Sequence, residues 1–455
     1  MQMRPIERRI DAYLSEHLDR YLEETARLCA QPSVSARGEG MVECAQLVGR
    51  MLEAHGLAVR IFPTPGAPIV YGHADGISPR TLLFYNHYDV QPPEPLELWS
   101  SPPFEPTLRD GALYARGACD DKGELVARLA ALDAVREAHR GSLPCGVTFV
   151  VEGEEEIGSP HVVSFVQEHL DLLRAQGAIW EGGGIDPEGR PVLTLGVRGV
   201  LSVELSVQTL TRDAHSGAAH RLPNAAWRLV WALASLKGPD ERVRIPGFYE
   251  GALPPSPLDE ELLEALPDYE ELERQIYGVR EFVRGLRGKE LNRAVFEPTC
   301  NIAGLTAGYQ GPGMKTVLPA RAAAKVDFRL VPGQDPNDVL VKLSAHLQRE
   351  GFGDVSVQCL GAMWPAKTAA DAPFVALAAR TGAEVYGRPA LLVPLEGGST
   401  PIYAFAGPLG DLPVVFAGVG YWDNRAHAPD EHVRLQDWLN GARHIARILE
   451  GFAAL

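Results

Sequence analysis

Four apolar runs, the first three ending abruptly in polar groups, constrain this chain most: TLLFYNHYDV (81–90), GVTFVVEGEEEIGS (146–159), GAIWEGGG (177–184) and LPVVFAGVG (412–420). Each is too short for a helix and too continuously apolar for a half-exposed strand, which is the pattern of a strand buried on both faces. Stretches of helical length and amphipathic spacing separate them: GELVARLAALDAVREAHRG (123–141), HVVSFVQEHLDLL (161–173) and APFVALAARTGAEVYG (372–387). That alternation predicts an α/β architecture with a mostly parallel central sheet and helices on both faces. VRIFPT and APIVYGHA add strands ahead of it, and helices are expected over about 6–30 and over 41–56, the second stopped by Gly56.

The texture changes near residue 199. GVLSVELSVQTL (199–210), RAAAKVDFRLV (321–331) and GDVSVQCLGA (353–362) alternate with period two, as half-exposed antiparallel strands do. Between them, residues 240–295 are helix-rich and interrupted by prolines, and after about 366 the earlier pattern returns. A chain of 455 residues is too long for one core, so the expectation is a discontinuous α/β domain (1–198 and 366–455) with an inserted α+β domain (199–365). The net charge of −16 argues against a nucleic-acid partner, which needs a basic stripe. Six scattered cysteines without a CxxC pair read as reduced thiols of a cytoplasmic protein. The charged opening segment is no signal peptide, and no run of uncharged apolar residues is long enough to span a membrane.

Ligand sites in open α/β sheets collect at the carboxyl ends of strands. Four such ends carry metal-type side chains: His87 with Asp89; Asp120 and Asp121 in YARGACDDKGE; Glu154, Glu155 and Glu156; and Glu181 before three glycines. His427, in DNRAHAPDEH after the last strand, is a fifth candidate. Singly, each has an ordinary explanation, such as a helix N-cap, a solvated acidic run or a loop carboxylate. Gathered on one rim, these carboxylates repel one another unless cations are bound. Carboxylate oxygens with imidazole nitrogens suit zinc, manganese or cobalt. Two such ions bridged by a carboxylate, about 3.5–4 Å apart, make a hydrolytic centre.

The ordered set NHYDV, RGACDDKGE, VEGEEEIGS, WEGGG, DAHSG, EGGSTPI and AHAPDE resembles the dinuclear-zinc peptidases that include carnosine dipeptidases, aminoacylases and succinyl-diaminopimelate desuccinylase, and it covers nearly the whole chain. The resemblance implies that His87 and Glu181 bind the first ion, Glu156 and His427 the second, and that Asp120 bridges them and is followed by a cis peptide bond. It implies that Asp89 orients the His87 imidazole and leaves Glu154 outside the site as a solvated neighbour. Glu155 is the implied general base, taking a proton from an ion-activated water that attacks an amide carbonyl and returning it to the leaving amine. His215, with Asp213 positioning it, is implied to stabilise the tetrahedral oxygen across a homodimer interface. Arg329 matches a position that holds a substrate carboxylate. Asn301, Thr299 and the EGGSTPI turn (Glu396, Gly398, Ser399) are further pocket candidates. LGVRG, GPGMKTVLP and the large insert look most like the dipeptidase branch, so a dipeptidase with two divalent ions is the expectation. A deacylase of N-acyl or N-succinyl amino acids using the same centre is the alternative, and an inactive metal-binding relative is the non-enzymatic one.

Overall fold

In the computed structural model, which describes residues 3–455, the four apolar runs lie side by side in one six-stranded sheet. Its strands are β1 (Ala58–Phe62), β2 (Ile69–Ala74), β3 (Ser78–His87), β4 (Cys145–Glu152), β5 (Gly177–Trp180) and the late strand Val414–Phe416. The order is β1-β2-β4-β3-β5 and then Val414–Phe416. The four strands from β4 onward are parallel, and β1 and β2 run antiparallel along one edge. Every residue of β4 is buried, as its continuous apolar sequence requires. The helices Lys122–Ala138 and Leu435–Phe452 pack on each other and against β3, and Tyr85 and Trp180 stack at 3.8 Å between β3 and β5.

The expected helix over 6–30 is two helices, Pro5–Glu16 and Leu18–Cys29. His17 leaves helical geometry at φ −107°, ψ 12°, and its ring lies 2.9 Å from the Tyr13 carbonyl, so the apolar spacing continues while the axis breaks. The next helix spans Met41–Ala54 and stops ahead of Gly56 in the left-handed region (φ +73°).

Two compact units divide the chain: one takes residues up to Gly196 with Thr368–Pro394 and Pro401–Leu455, the other Val197–Lys367 with Leu395–Thr400. The short return of Leu395–Thr400 to the second unit has no counterpart in the apolar pattern of the sequence. In the second unit, β6 (Gly199–Gln208), β7 (Thr299–Ala307), β8 (Arg321–Leu330) and β9 (Ser356–Met363) form an antiparallel sheet in the order β7-β8-β6-β9. Alternate residues of β6 (Leu201, Val203, Leu205, Val207) and of β8 (Ala322, Ala324, Val326, Phe328, Leu330) join the unit's core. They meet the helices Ala225–Leu236 and Pro336–Arg349, whose N-termini are capped by Asn224 and Asp335. Among the described residues no helix is long and apolar enough to cross a membrane.

Candidate active site

Parallel register brings the strand ends to one rim of the first unit. His87, the last residue of β3, pairs with Glu152, the last of β4, and Glu181 directly follows β5. The His87 ring is buried, with Nδ1 3.0 Å from the Asp89 carbonyl and 3.4 Å from Asp89 Oδ1. Its Nε2 lies 2.9 Å from Asp120 Oδ1 and 3.8 Å from Glu181 Oε2. His427 Nε2 approaches the other oxygen, Asp120 Oδ2, at 2.9 Å, and Glu156 Oε2 at 3.2 Å. Asp120 therefore presents one oxygen to each imidazole. Two sets of potential ligand atoms result, His87/Asp121/Glu181 and Asp120/Glu156/His427, each with all its atoms within 4.8 Å of one another. Nitrogen and oxygen donors in such sets fit divalent ions of the zinc type.

The charges follow from this packing. Burial opposes ionisation of Asp120, but hydrogen bonds from His427 and His87 hold it well below the usual carboxylate range. Hydrogen bonds to Asp120 and Glu156 push His427 up to about 10. Burial, reinforced by the Asp120 and Glu156 carboxylates and opposed by His87, pushes Glu155 up to about 8. A carboxyl raised in this way holds a proton more readily than a solvated one, which is the property a proton shuttle needs.

Asp89 does more than face His87. Its two oxygens accept from the Glu155 and Glu156 backbone amides at 3.2 and 3.0 Å, so one fully buried carboxylate fixes both the imidazole and the Glu155–Glu156 turn. Glu154 is not the solvated neighbour expected of it. It is buried, its Oε2 lies 2.6 Å from His161 Nδ1, and its Oε1 fills the space that a Cβ on Gly66 would occupy. The Asp120–Asp121 peptide is cis. Asp121, named with Asp120 as a strand-end candidate but not among the ligands that the resemblance implied, accepts from the Asn86 side chain (2.6 Å) and the His87 amide (3.1 Å) and joins the His87/Glu181 group. The glycines after Glu181 have a steric cause: a Cβ at Gly184 would sit 1.9 Å from Gly420 O, and one at Gly183 would sit 3.0 Å from Gly418 N.

Two further residues of the rim escaped the sequence reading. Arg128 is wholly buried and donates to the carbonyls of Tyr85 and Trp180 and to Asn86 Oδ1, tying the ends of β3 and β5 together. Its signal was an arginine four residues after Glu124, in the otherwise apolar stretch from Leu125 to Leu132. Glu431 is buried against the loop that carries Asp120; it closes the AHAPDE motif, but its residue type alone does not announce this role.

The second unit holds the remaining candidates. Arg329 Nη1 donates to Ser399 Oγ at 2.8 Å, and its Nε stands 4.0 Å from Asp327. Thr299 pairs with Arg329 in the β7/β8 register, and Asn301 donates to Asp327 Oδ1 at 3.0 Å. Gly398 and Glu396 offer their carbonyls to the amide of Arg198, whose guanidinium reaches the carbonyls of Glu297 and Arg329. His215 is exposed, accepts from the Gly217 amide at Nδ1 and faces Thr316 Oγ1 with Nε2 (3.3 Å). Asp213 does not orient that ring as expected: its Oδ1 accepts from the Ala320 amide, and both imidazole nitrogens have other partners.

Residues 83–451 match peptidase family M20/M25/M40, a span that includes every rim residue named above. The chain belongs to this family. Among its relatives, the Beta-Ala-His dipeptidase of Rattus norvegicus is 27% identical over 400 residues, covering 84% of this chain and 79% of that protein. The Cys-Gly metallodipeptidase of Schizosaccharomyces pombe is 26% identical over 457 residues, covering 93% and 94%. Among solved structures, an M20 family metallo-carboxypeptidase from Sulfolobus solfataricus superposes with a TM-score of 0.91 at 36% identity, covering 96% of this chain and 99% of that one. Membership makes the chain a peptidase and accords with the mixed α/β sheet described above.

Proposed function

We propose that this peptidase is a dinuclear metalloenzyme that hydrolyses dipeptides or similarly short substrates bearing a free C-terminal carboxylate. One observation carries the reading: Asp120 meets His87 with one oxygen and His427 with the other, each at 2.9 Å, and each imidazole has a further carboxylate beside it. His87, Asp120 and Glu181 would hold one divalent ion and Asp120, Glu156 and His427 the other, with zinc the first choice and manganese or cobalt next. When bound, the ions supply Lewis acidity toward the amide carbonyl and acidify a water.

The residues of this chain do the rest. Glu155, in a turn fixed by Asp89, takes the proton of the attacking water and delivers it to the leaving nitrogen. Arg329, whose guanidinium among the described residues has a single, long ion-pair approach of 4.0 Å to Asp327, takes the substrate carboxylate beside Ser399, with Asn301 and Gly398 completing the pocket. His215 reaches the reacting carbonyl of a partner subunit in a homodimer. The exposed apolar stripe of Trp227, Val230 and Trp231 along the helix Ala225–Leu236 supports such an association. Six unpaired cysteines suit the cytoplasm.

The test is a substrate series with each ion supplied in turn: free dipeptides, their C-terminal amides, longer peptides and N-acyl amino acids. Free dipeptides should turn over fastest, and Glu155→Ala should keep both ions while losing about 10²–10⁴-fold in kcat. Turnover confined to N-acyl amino acids would replace the dipeptidase reading with a deacylase. A fully active Glu155→Ala would remove the assigned base.

A further inference from the structure

Glu431 lies four residues beyond His427 and 311 residues from Asp120, yet it is fully buried against the Asp120 loop. Its Oε1 accepts from the amides of Cys119 and Asp120, each at 3.0 Å. Its Oε2 accepts from the Gly117 amide (3.0 Å) and from Arg116 Nη1 (2.7 Å). One carboxylate thus collects four N–H donors from the five residues Arg116–Asp120, while its own carbonyl accepts from the Ala115 amide (3.2 Å). A buried carboxylate with this many donors has one geometry open to it, because each lost bond would leave a buried polar group unpaired.

The segment leading to Glu431 could not hold itself. Arg425, His427 and Asp430 all have positive φ (57°, 62° and 60°), a region that costs any residue but glycine, so the loop must be determined from outside. Several of its anchors lie on residues that precede Asp120 in the chain. Asn424 Nδ2 approaches Cys119 Sγ at 3.0 Å, and Asp430 accepts from Ser100 N (2.8 Å), Ser100 Oγ (2.6 Å) and Arg109 (3.2 Å). Of these anchors, Glu431 alone touches the backbone of Asp120 itself.

We infer that Glu431 is a positioning residue that locks Asp120 and His427 into one rigid piece, so that the ion held by Asp120, Glu156 and His427 depends on it more than its neighbour does. The inference rests on the dinuclear reading above. Two of that ion's three residues are set by the Glu431 clasp, against one of three at the site of His87 and Glu181. Residues behind metal ligands commonly tune affinity by about 10–100-fold.

Cobalt titration of the full chain, followed by visible absorbance and calorimetry, separates the two ions. In wild type two cobalt ions should bind; fewer would overturn the dinuclear reading itself and leave no second site for the clasp to serve. Glu431→Gln should weaken the second ion about 10–100-fold and the first by no more than about threefold. Glu431→Asp keeps the charge near Arg116 but withdraws it from the amides, carries the same expectation, and stands in if the Gln variant does not fold. Arg116→Met leaves the three amide bonds and should lower thermal stability while keeping the order and affinities of both ions. Unchanged cobalt affinities in both Glu431 variants, a parallel fall at both sites, or an equal second-ion loss in Arg116→Met would overturn the inference.

Discussion

His55→Gln should remove a pH-dependent share of the first unit's stability. His55 caps the helix Met41–Ala54 and is 2% exposed. Its Nε2 lies 2.9 Å from Glu24 and its Nδ1 2.8 Å from Asp133. Arg20 approaches both carboxylates, Tyr21 donates to Asp133, and Arg136 donates to the His55 carbonyl. Burial disfavours the imidazolium, but the hydrogen bonds to Asp133 and Glu24 win and push His55 from 6.5 up to about 9. A raised pKa means that the folded chain holds a proton the unfolded chain has released. The resulting stabilisation is complete below about pH 6.5 and is lost as the pH climbs through about 9. At about 1.4 kcal/mol per pKa unit the full contribution is about 3 kcal/mol. Asp133 belongs to the helix Lys122–Ala138, which begins directly after Asp121, so the clamp braces the element behind the Asp120 rim. Denaturant unfolding of wild type and His55→Gln across this range should give a difference largest at the acid end and shrinking with pH. A difference that stays flat, or that widens toward alkaline pH, would refute the reasoning.

Asp89→Asn should lower metal affinity or kcat about 10–100-fold, read by chelator competition and steady-state kinetics, because a neutral amide cannot accept from both the Glu155 and Glu156 amides. Full retention of both quantities would show that those two bonds are dispensable. His215→Ala should depress kcat with metal content intact, and mixing it with Glu155→Ala subunits should recover part of the activity; verified mixed dimers without recovery would put the histidine to work in its own subunit. Arg329→Met should raise KM for free dipeptides by about tenfold or more while leaving C-terminal amides nearly unaffected, whereas equal effects on both would exclude a role with the carboxylate.

The rim could be read from the sequence because strands buried on both faces are written as apolar runs, and where each run stops the next polar residue stands at the sheet's carboxyl end. His87 and Glu181 stand directly at such ends, and Glu155 and Glu156 follow one within four residues. Glu154 misled because adjacency to two candidate site glutamates says nothing of the partners that bury it, His161 and the space beside Gly66. Glu431 was illegible for a related reason, and Arg128 left only its spacing from Glu124: most of their bonds go to backbone atoms far away in sequence, and a backbone acceptor or donor leaves no residue type to recognise. The break at His17 was hidden because the apolar stripe continues across it. The return of Leu395–Thr400 to the second unit was hidden because a short turn carries no periodicity.

The glycines around Glu181 have an implication for how this chain can vary. Gly183 and Gly184 leave no room for a side chain against Gly418 and Gly420, and Gly418 and Gly420 leave none against Gly182, Gly183 and Glu124. Neither stretch can acquire a side chain on its own, since the obstacle lies on the opposite backbone and is not removed by a compensating change there. Drift is therefore blocked on both sides by excluded volume, independently of any demand of the chemistry. A substitution in this tract would disturb Glu181 through the main chain even where the incoming residue carries no charge and touches no ligand.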